Sequence, residues 1–226
     1  MKILLQSSLV FLFTSLSFIT HAADSQGRVI IVPLEGAFDS TDIVVPVGGN
    51  YATTLGEQRK EVFERAAFIW SNILDLDYDI TVEVKFIPII CSSSSATLGY
   101  AGPNRVKKID NVWYTTAQAN QINKTDTSGT YNDIYADFNS DIDEGCYDGA
   151  PNGWYYGLDN NEPSDQEGLL DVVLHEIGHG LGHLTFVDGS TGELFNSYID
   201  SYSRFLTDNS SGWNWADMTD AARLAS

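Results

Sequence analysis

The chain has 226 residues, in which 12 Lys plus Arg face 31 Asp plus Glu for a formal net charge of −19. That acid excess disfavours nucleic acid and anionic membrane surfaces as partners, since both are held by clustered basic side chains. It suits solubility in a salty exterior and binding of Ca²⁺, and by itself specifies neither.

Met1-Lys2 is followed by an apolar run from Ile3 to Ile19, broken by scattered Ser, Thr and Gln, that reaches Thr20-His21-Ala22. This predicts a secretory signal peptide over 1–22 with cleavage after Ala22. The alternative is a membrane anchor, against which stand the polar interruptions and the small-residue end. No later stretch could span a bilayer. The remaining roughly 200 residues have room for one substantial domain or two small ones. No repeat or flexible linker divides them, so residues 23–226 are expected to form one domain. Export carries Cys91 and Cys146 to an oxidising compartment, where a single disulfide is the natural pairing. In the chain-entropy view it would stabilise the fold by about 4 kcal/mol. Two free thiols serving as zinc ligands are the alternative, although neither neighbours a histidine in sequence.

Taken in order, Arg28 to Pro33 reads as a short strand and Asp39 to Asn50 as a loop. Thr54-x-x-Glu57 is a capping box for a long helix, with Val62, Phe63, Ala66, Ile69, Trp70, Ile73 and Leu74 at helical spacing. Its expected role is to back a sheet. Ile80, Val82, Val84 and Phe86 alternate with polar residues as a half-buried strand, which Pro88 confines to an edge or an end. The Ser- and Gly-rich stretch from Cys91 to Pro103 should be a loop, and Trp113 to Ile122 a short helix capped by Asp110 or Asn111. Ile134, Ala136 and Phe138 alternate with Tyr135, Asp137 and Asn139. This is a second strand, and our candidate for an edge that pairs with an extended peptide. Asp137, Asn139, Asp141 and Asp143 resemble an oxygen-rich Ca²⁺ loop, but Ile142 stands where such a loop needs glycine, so a solvated acidic strand end is favoured. Asn123 and Asn209 fit glycosylation acceptors.

The most informative stretch is His175-Glu176-Ile177-Gly178-His179. If Leu169 to Gly182 is a helix, the four-residue step puts both imidazoles on one face, one turn apart, where one Zn²⁺ can be held by both. Glu176 points roughly 100° away, so its carboxylate can serve water at the metal without coordinating. Leu169, Val172, Val173 and Ile177 form the apolar stripe of a buried helix, and Ser164-x-x-Glu167 can cap it. Gly178, Gly180 and Gly182 each cost about 1 kcal/mol inside a helix. They suggest close approach of another backbone, with Gly182 free to take positive φ at the helix end; a frayed end is the plainer reading.

These strings resemble the secreted zincin metallopeptidases, more narrowly an exported bacterial group often carrying a protease-associated insert. The likeness runs through Thr53-Thr54-Leu55-Gly56, Ala66-Ala67-Phe68-Ile69-Trp70, Leu98-Gly99, Ala101-Gly102-Pro103, Phe138-Asn139-Ser140 and Trp154 to Asp159. It continues through Leu174 to Gly182, then Asp200, Tyr202, Arg204-Phe205-Leu206, Trp215 and Met218-Thr219. The insert is absent, His183 stands where the group has an aromatic residue, and its members continue beyond the position of Ser226. The resemblance implies a zincin-like α+β domain with a small twisted sheet, a backing helix over Thr54 to Leu74 and an active-site helix.

The third metal ligand is not given by the motif. A metzincin would place a histidine at the position of Thr185. On a continuing helix His183 lies roughly 12 Å along the axis from His175, and only a sharp break at Gly182 could return it. Asp200 leads on spacing and resemblance, ahead of Glu193 and Asp188. Asp171 could orient the His175 imidazole or simply face solvent. Tyr198 and Tyr202 are candidates for stabilising an oxyanion, and Met218 for lying beneath the metal or in plain core. The expected activity is secreted, monomeric, Zn²⁺-dependent endopeptidase chemistry on a peptide or protein substrate, with His175 and His179 as ligands and Glu176 as general base. Ca²⁺ is a weaker expectation. The competing expectation is a secreted binding protein on the same scaffold, minimal or truncated and without turnover.

Overall fold

The structure is a computed structural model that describes residues 26–226, so the expected signal segment lies outside the described residues. In chain order, strand β1 (Val29–Pro33) leads to helix α1 (Leu55–Ile73) and strand β2 (Ile80–Ile87). Short strands β3 (Cys91–Ser92) and β4 (Ser95–Ala96) form a hairpin ahead of β5 (Gly99–Pro103). A second hairpin, β6 (Val106–Ile109) with β7 (Val112–Thr115), runs into helix α2 (Thr116–Asn123). Then come β8 (Ile134–Asn139), the paired two-residue strands β9 (Trp154–Tyr155) and β10 (Glu167–Gly168), helix α3 (Leu169–Gly180) and a short closing helix α4 (Asp220–Leu224).

The main sheet has the order β1-β2-β8-β5, with the first three strands parallel and β5 antiparallel at the edge. The chain is thus mixed α+β. The register gathers Val29 and Ile31 of β1, Ile80, Val82 and Val84 of β2, Ile134, Ala136 and Phe138 of β8, and Gly99 and Ala101 of β5 on one face. Helix α1 packs there with Val62, Phe63, Ala66 and Ala67 buried, and Phe63 meets Phe138 edge-on at 4.9 Å. The small residues of β5 leave room for α3 beside α1, where Leu169, Val173 and Ile177 complete the core.

The long helix starts where its capping box predicts: Thr54 Oγ1 accepts from Glu57 N–H and donates to the Glu57 carboxylate. Leu74 caps its end through N–H donation to the Trp70 carbonyl. β2 is interior, flanked by β1 and β8, and ends just before Pro88. Other expectations need correction. Asp110 and Asn111 cap no helix; both take positive φ as a two-residue hairpin turn, so Val112–Thr115 is a strand and the helix starts three residues later than expected, at Thr116, on a Thr115/Gln118 capping box. The stretch from Cys91 to Pro103 is not loop throughout but supplies β3, β4 and the edge strand. β8 is correspondingly interior, and the two edges of the sheet are β1 and β5. The Ser164-Glu167 box does not form, because Glu167 and Gly168 are extended alongside β9 and Gly168 caps α3 without a side-chain bond.

Side chains outside the apolar core tie these layers together. Cys91 and Cys146 form the expected disulfide. Asp143 accepts from Arg59 at 2.8 Å and from the Tyr156 hydroxyl at 2.6 Å, while Arg59 stacks 4.4 Å over Phe86. Burial opposes the Arg59 charge, but Tyr156 and Asp143 more than offset it and leave the guanidinium above its ordinary pKa. Burial, helped by the Asp143 charge, pushes the Tyr156 phenol well up.

The approach to α3 is made by side chains rather than by another backbone. A Cβ at Gly180 would collide with Ile134, whose Cγ1 and Cδ1 would lie at 2.6 and 2.7 Å. Gly180→Ala is therefore expected to cost about 1–3 kcal/mol by overpacking. Ile134→Ala alone should cost about 2–5 kcal/mol by leaving a void, and the double variant less than the sum because each change accommodates the other. Urea unfolding of the three variants measures this, and strict additivity would show that the two sites do not press on each other.

Candidate metal centre

Helix α3 buries Leu169, Leu170, Val173 and Ile177 on one side and turns His175 and His179 outward on another. The four-residue spacing brings the two Nε2 atoms to 3.0 Å, with the rings 4.6 Å apart and nearly perpendicular. Glu176 is largely buried and, with His175, borders a cleft of about 500 Å³. Asp171 and Val172 line the helix side of that cleft and Thr97, Leu98 and Gly99 the facing wall. Asn139 holds this wall. It is fully buried, and its Nδ2 donates to the carbonyls of Thr97 (2.9 Å) and Ile89 (3.3 Å), while its Oδ1 accepts from Ile89 N–H.

The helix ends abruptly. Gly182 has φ of +113°, its N–H donates to the His179 carbonyl at 3.0 Å, and the His183 N–H donates to the Gly178 carbonyl at 3.0 Å. This double closure is the Schellman arrangement, which needs a residue without Cβ at the reversal. The break at Gly182 is therefore ordered, not frayed, and it does bring His183 back. What it delivers is the main chain: the His183 carbonyl lies 2.8 Å from His179 Nδ1, while the His183 ring packs against Tyr202 at 5.0 Å.

The carboxylates expected to complete the site are engaged elsewhere. Asp200 is 2% exposed and its carboxylate accepts from the N–H groups of Phe186 (3.0 Å), Tyr202 (3.0 Å) and Ser203 (2.7 Å). Asp200 thus anchors the turn that leads into Ser203–Phe205, accepting from three main-chain donors that would otherwise be unpartnered. Asp188 caps its own turn on Ser190 and Thr191, and the Ser190 hydroxyl holds its carboxyl below the ordinary range. Glu193 is exposed, and the Thr185 hydroxyl is bonded to Ser203. Among the described residues, no three His, Cys, Asp or Glu side chains are grouped so as to hold a metal ion. The alternative of two thiolate ligands is removed by the disulfide.

Other candidates separate in the same way. Asp171 is exposed and faces Asn160, whose amide nitrogen, in its donating orientation, lies 2.9 Å from both carboxylate oxygens. Nearby Glu167 is raised by burial first, then by the charges of Glu162 and Asp171. Asp137, Asn139 and Asp143 belong to different bonds, respectively near Lys85, in the cleft wall and with Arg59. With Asp137 and Asn139 buried, that segment is not a solvated strand end. Tyr198 lies under Lys108, and Met218 lines a separate surface cleft with Asp208 and Trp213.

Sequence reading missed Asn139 as a wall residue, β5 as the edge, and the His183 carbonyl. The first had a signal in retrospect: a buried polar residue ending an apolar strand must satisfy both its amide groups on neighbouring backbone.

The family model described as SPBPB7E8-like matches residues 48–217, most of the chain, including α3 and both cysteines. The chain belongs to this family. No curated protein and no solved structure matches it. The disulfide fits an oxidising, extracellular type of environment, and no helix of the described residues is long and apolar enough to cross a membrane.

Asp200→Ala is expected to lower the stability of metal-free protein by at least about 2 kcal/mol, because buried N–H groups lose their acceptor. Urea midpoints of the metal-free protein would decide between cap and ligand. Unchanged stability together with lost metal binding would restore Asp200 as a ligand.

Proposed function

We propose that this chain is a secreted, zinc-dependent endopeptidase of zincin type, with His175 and His179 holding the metal and Glu176 acting as general base. The observation that carries this reading is the 3.0 Å approach of the two Nε2 atoms at the rim of a cleft that Glu176 also borders. The donor set suits zinc. Two imidazole nitrogens on one tetrahedral zinc, each bonded at about 2.0–2.1 Å, sit roughly 3.3 Å apart, close to the separation already present.

Zinc supplies Lewis-acid polarisation of a scissile carbonyl and makes water acidic enough to be used near neutral pH. Glu176 takes the proton of the attacking water and returns it to the leaving amine, a role that needs a positioned carboxylate free of other partners. The cleft wall at Thr97–Gly99 continues into β5, whose outer edge is free to pair with an extended peptide. Gly99, at the start of that strand, lines the cleft opposite His175 and Glu176, so a peptide paired there would come close to the site. The disulfide supports a secreted location.

One observation favours a second reading, a secreted binding protein without turnover: the carboxylate best placed by sequence to complete the site is locked in a cap. Metal analysis of purified mature protein beside a peptide-hydrolysis assay separates the two. Zinc with hydrolysis supports the peptidase, zinc without hydrolysis the binding protein, and absence of zinc removes both metal-dependent readings.

Glu176→Gln is expected to leave zinc content and thermal midpoint unchanged while lowering hydrolysis about 10²- to 10⁴-fold, since glutamine keeps the shape but cannot accept a proton. Single-turnover rates on an unstructured peptide provide the measure. Equal rates for wild type and variant would dispose of the general-base assignment.

A further inference from the structure

Resting on the metal-site reading above, we infer that Gly182 is a positioning residue for His179, acting through the His183 carbonyl to fix which ring nitrogen of His179 is offered to the metal. A neutral imidazole has one N–H and one lone pair, and the group facing one nitrogen decides which is which. At His179 the facing group at Nδ1 is the main-chain carbonyl of His183, 2.8 Å away. A carbonyl can only accept, so Nδ1 carries the proton and Nε2 presents its lone pair toward His175.

That carbonyl is where it is because the chain reverses at Gly182. The φ of +113° there is open to glycine and strained for any residue with a Cβ. The reversal is also walled in from outside the helix. A Cβ at Gly182 would collide with the Gln118 side-chain amide, with Cδ at 2.6 Å and Oε1 at 3.0 Å. Gln118 is not loose enough to yield: its Oε1 accepts from Thr115 N–H at 3.2 Å within the α2 capping box and from the Ser201 hydroxyl at 2.7 Å. Helix α2 and the Asp200–Ser203 turn therefore meet at Gln118 and brace the end of the metal helix.

The tautomer can be read in metal-free protein by long-range ¹H–¹⁵N correlation of the imidazoles, at a pH well above the ordinary histidine pKa of about 6.5. Wild-type His179 should be the Nδ1–H form. Gly182→Ala should give mixed tautomers and weaken zinc binding about 10- to 100-fold, and Gln118→Ala added to Gly182→Ala should recover part of both by removing the obstruction. An Nε2–H form of His179 in wild type would overturn the inference, and so would an unchanged tautomer in Gly182→Ala. The wild-type measurement needs no variant to fold. Because the tautomer is read without metal, loss of the inference is distinguishable from loss of the peptidase reading, which turns on zinc content and on Glu176→Gln.

Discussion

The packing of one apolar stripe sets the geometry of the whole candidate site. Leu169, Val173 and Ile177 are wholly buried, so α3 cannot rotate about its axis without exposing them. Each such side chain is worth roughly 1.5–3 kcal/mol when buried, and together they fix the azimuth of His175, Glu176 and His179. Translation along the axis is limited as well, since Ile134 fills the space left by Gly180. A helix held against both rotation and sliding can point two imidazoles at one spot without bonds to either ring from the core.

The facing wall is held by different means. In Thr97–Gly99 only Leu98 packs against the core, and the rest of its position comes from the Asn139 amide and from pairing of β5 with β8. The Cys91–Cys146 bridge fastens the start of the same segment to the loop after β8. The cleft thus has one side set by core packing and the other by a buried amide and a covalent tie.

Much of this architecture was legible because local signals and burial agreed. Thr54 and Glu57 marked the start of α1, the alternation in β2 and β8 gave the faces of the sheet, and the His175–His179 spacing gave the shared helix face. Where the reading failed, a tertiary partner outweighed local composition. Gly99 to Pro103 has poor strand propensity, and only the ladder to β8 makes it a strand. Asp110-Asn111 offers both a helix cap and a hairpin turn, and the pairing of β6 with β7 selects the turn. The His183 carbonyl has no side-chain signature at all. A main-chain group enters a site through the path of the chain, which Gly182 announces only as a helix end.

Asp200 shows how a carboxylate picked out by spacing is also claimed by its own turn. A carboxylate at the start of a turn competes between a metal and the turn's own N–H groups, and those donors are present in the chain whether or not metal arrives. Three main-chain donors share this buried carboxylate, two on Oδ1 and one on Oδ2, and losing it would leave those N–H groups without their acceptor. The chain therefore uses Asp200 to build the segment that carries Ser201 to Gln118, and through Gln118 braces the turn at Gly182. On the proposed reading the residue serves the metal site from a distance, as part of the frame that aims His179. On that reading metal retention depends on how well the two imidazoles are preset, since a misdirected lone pair removes a donor.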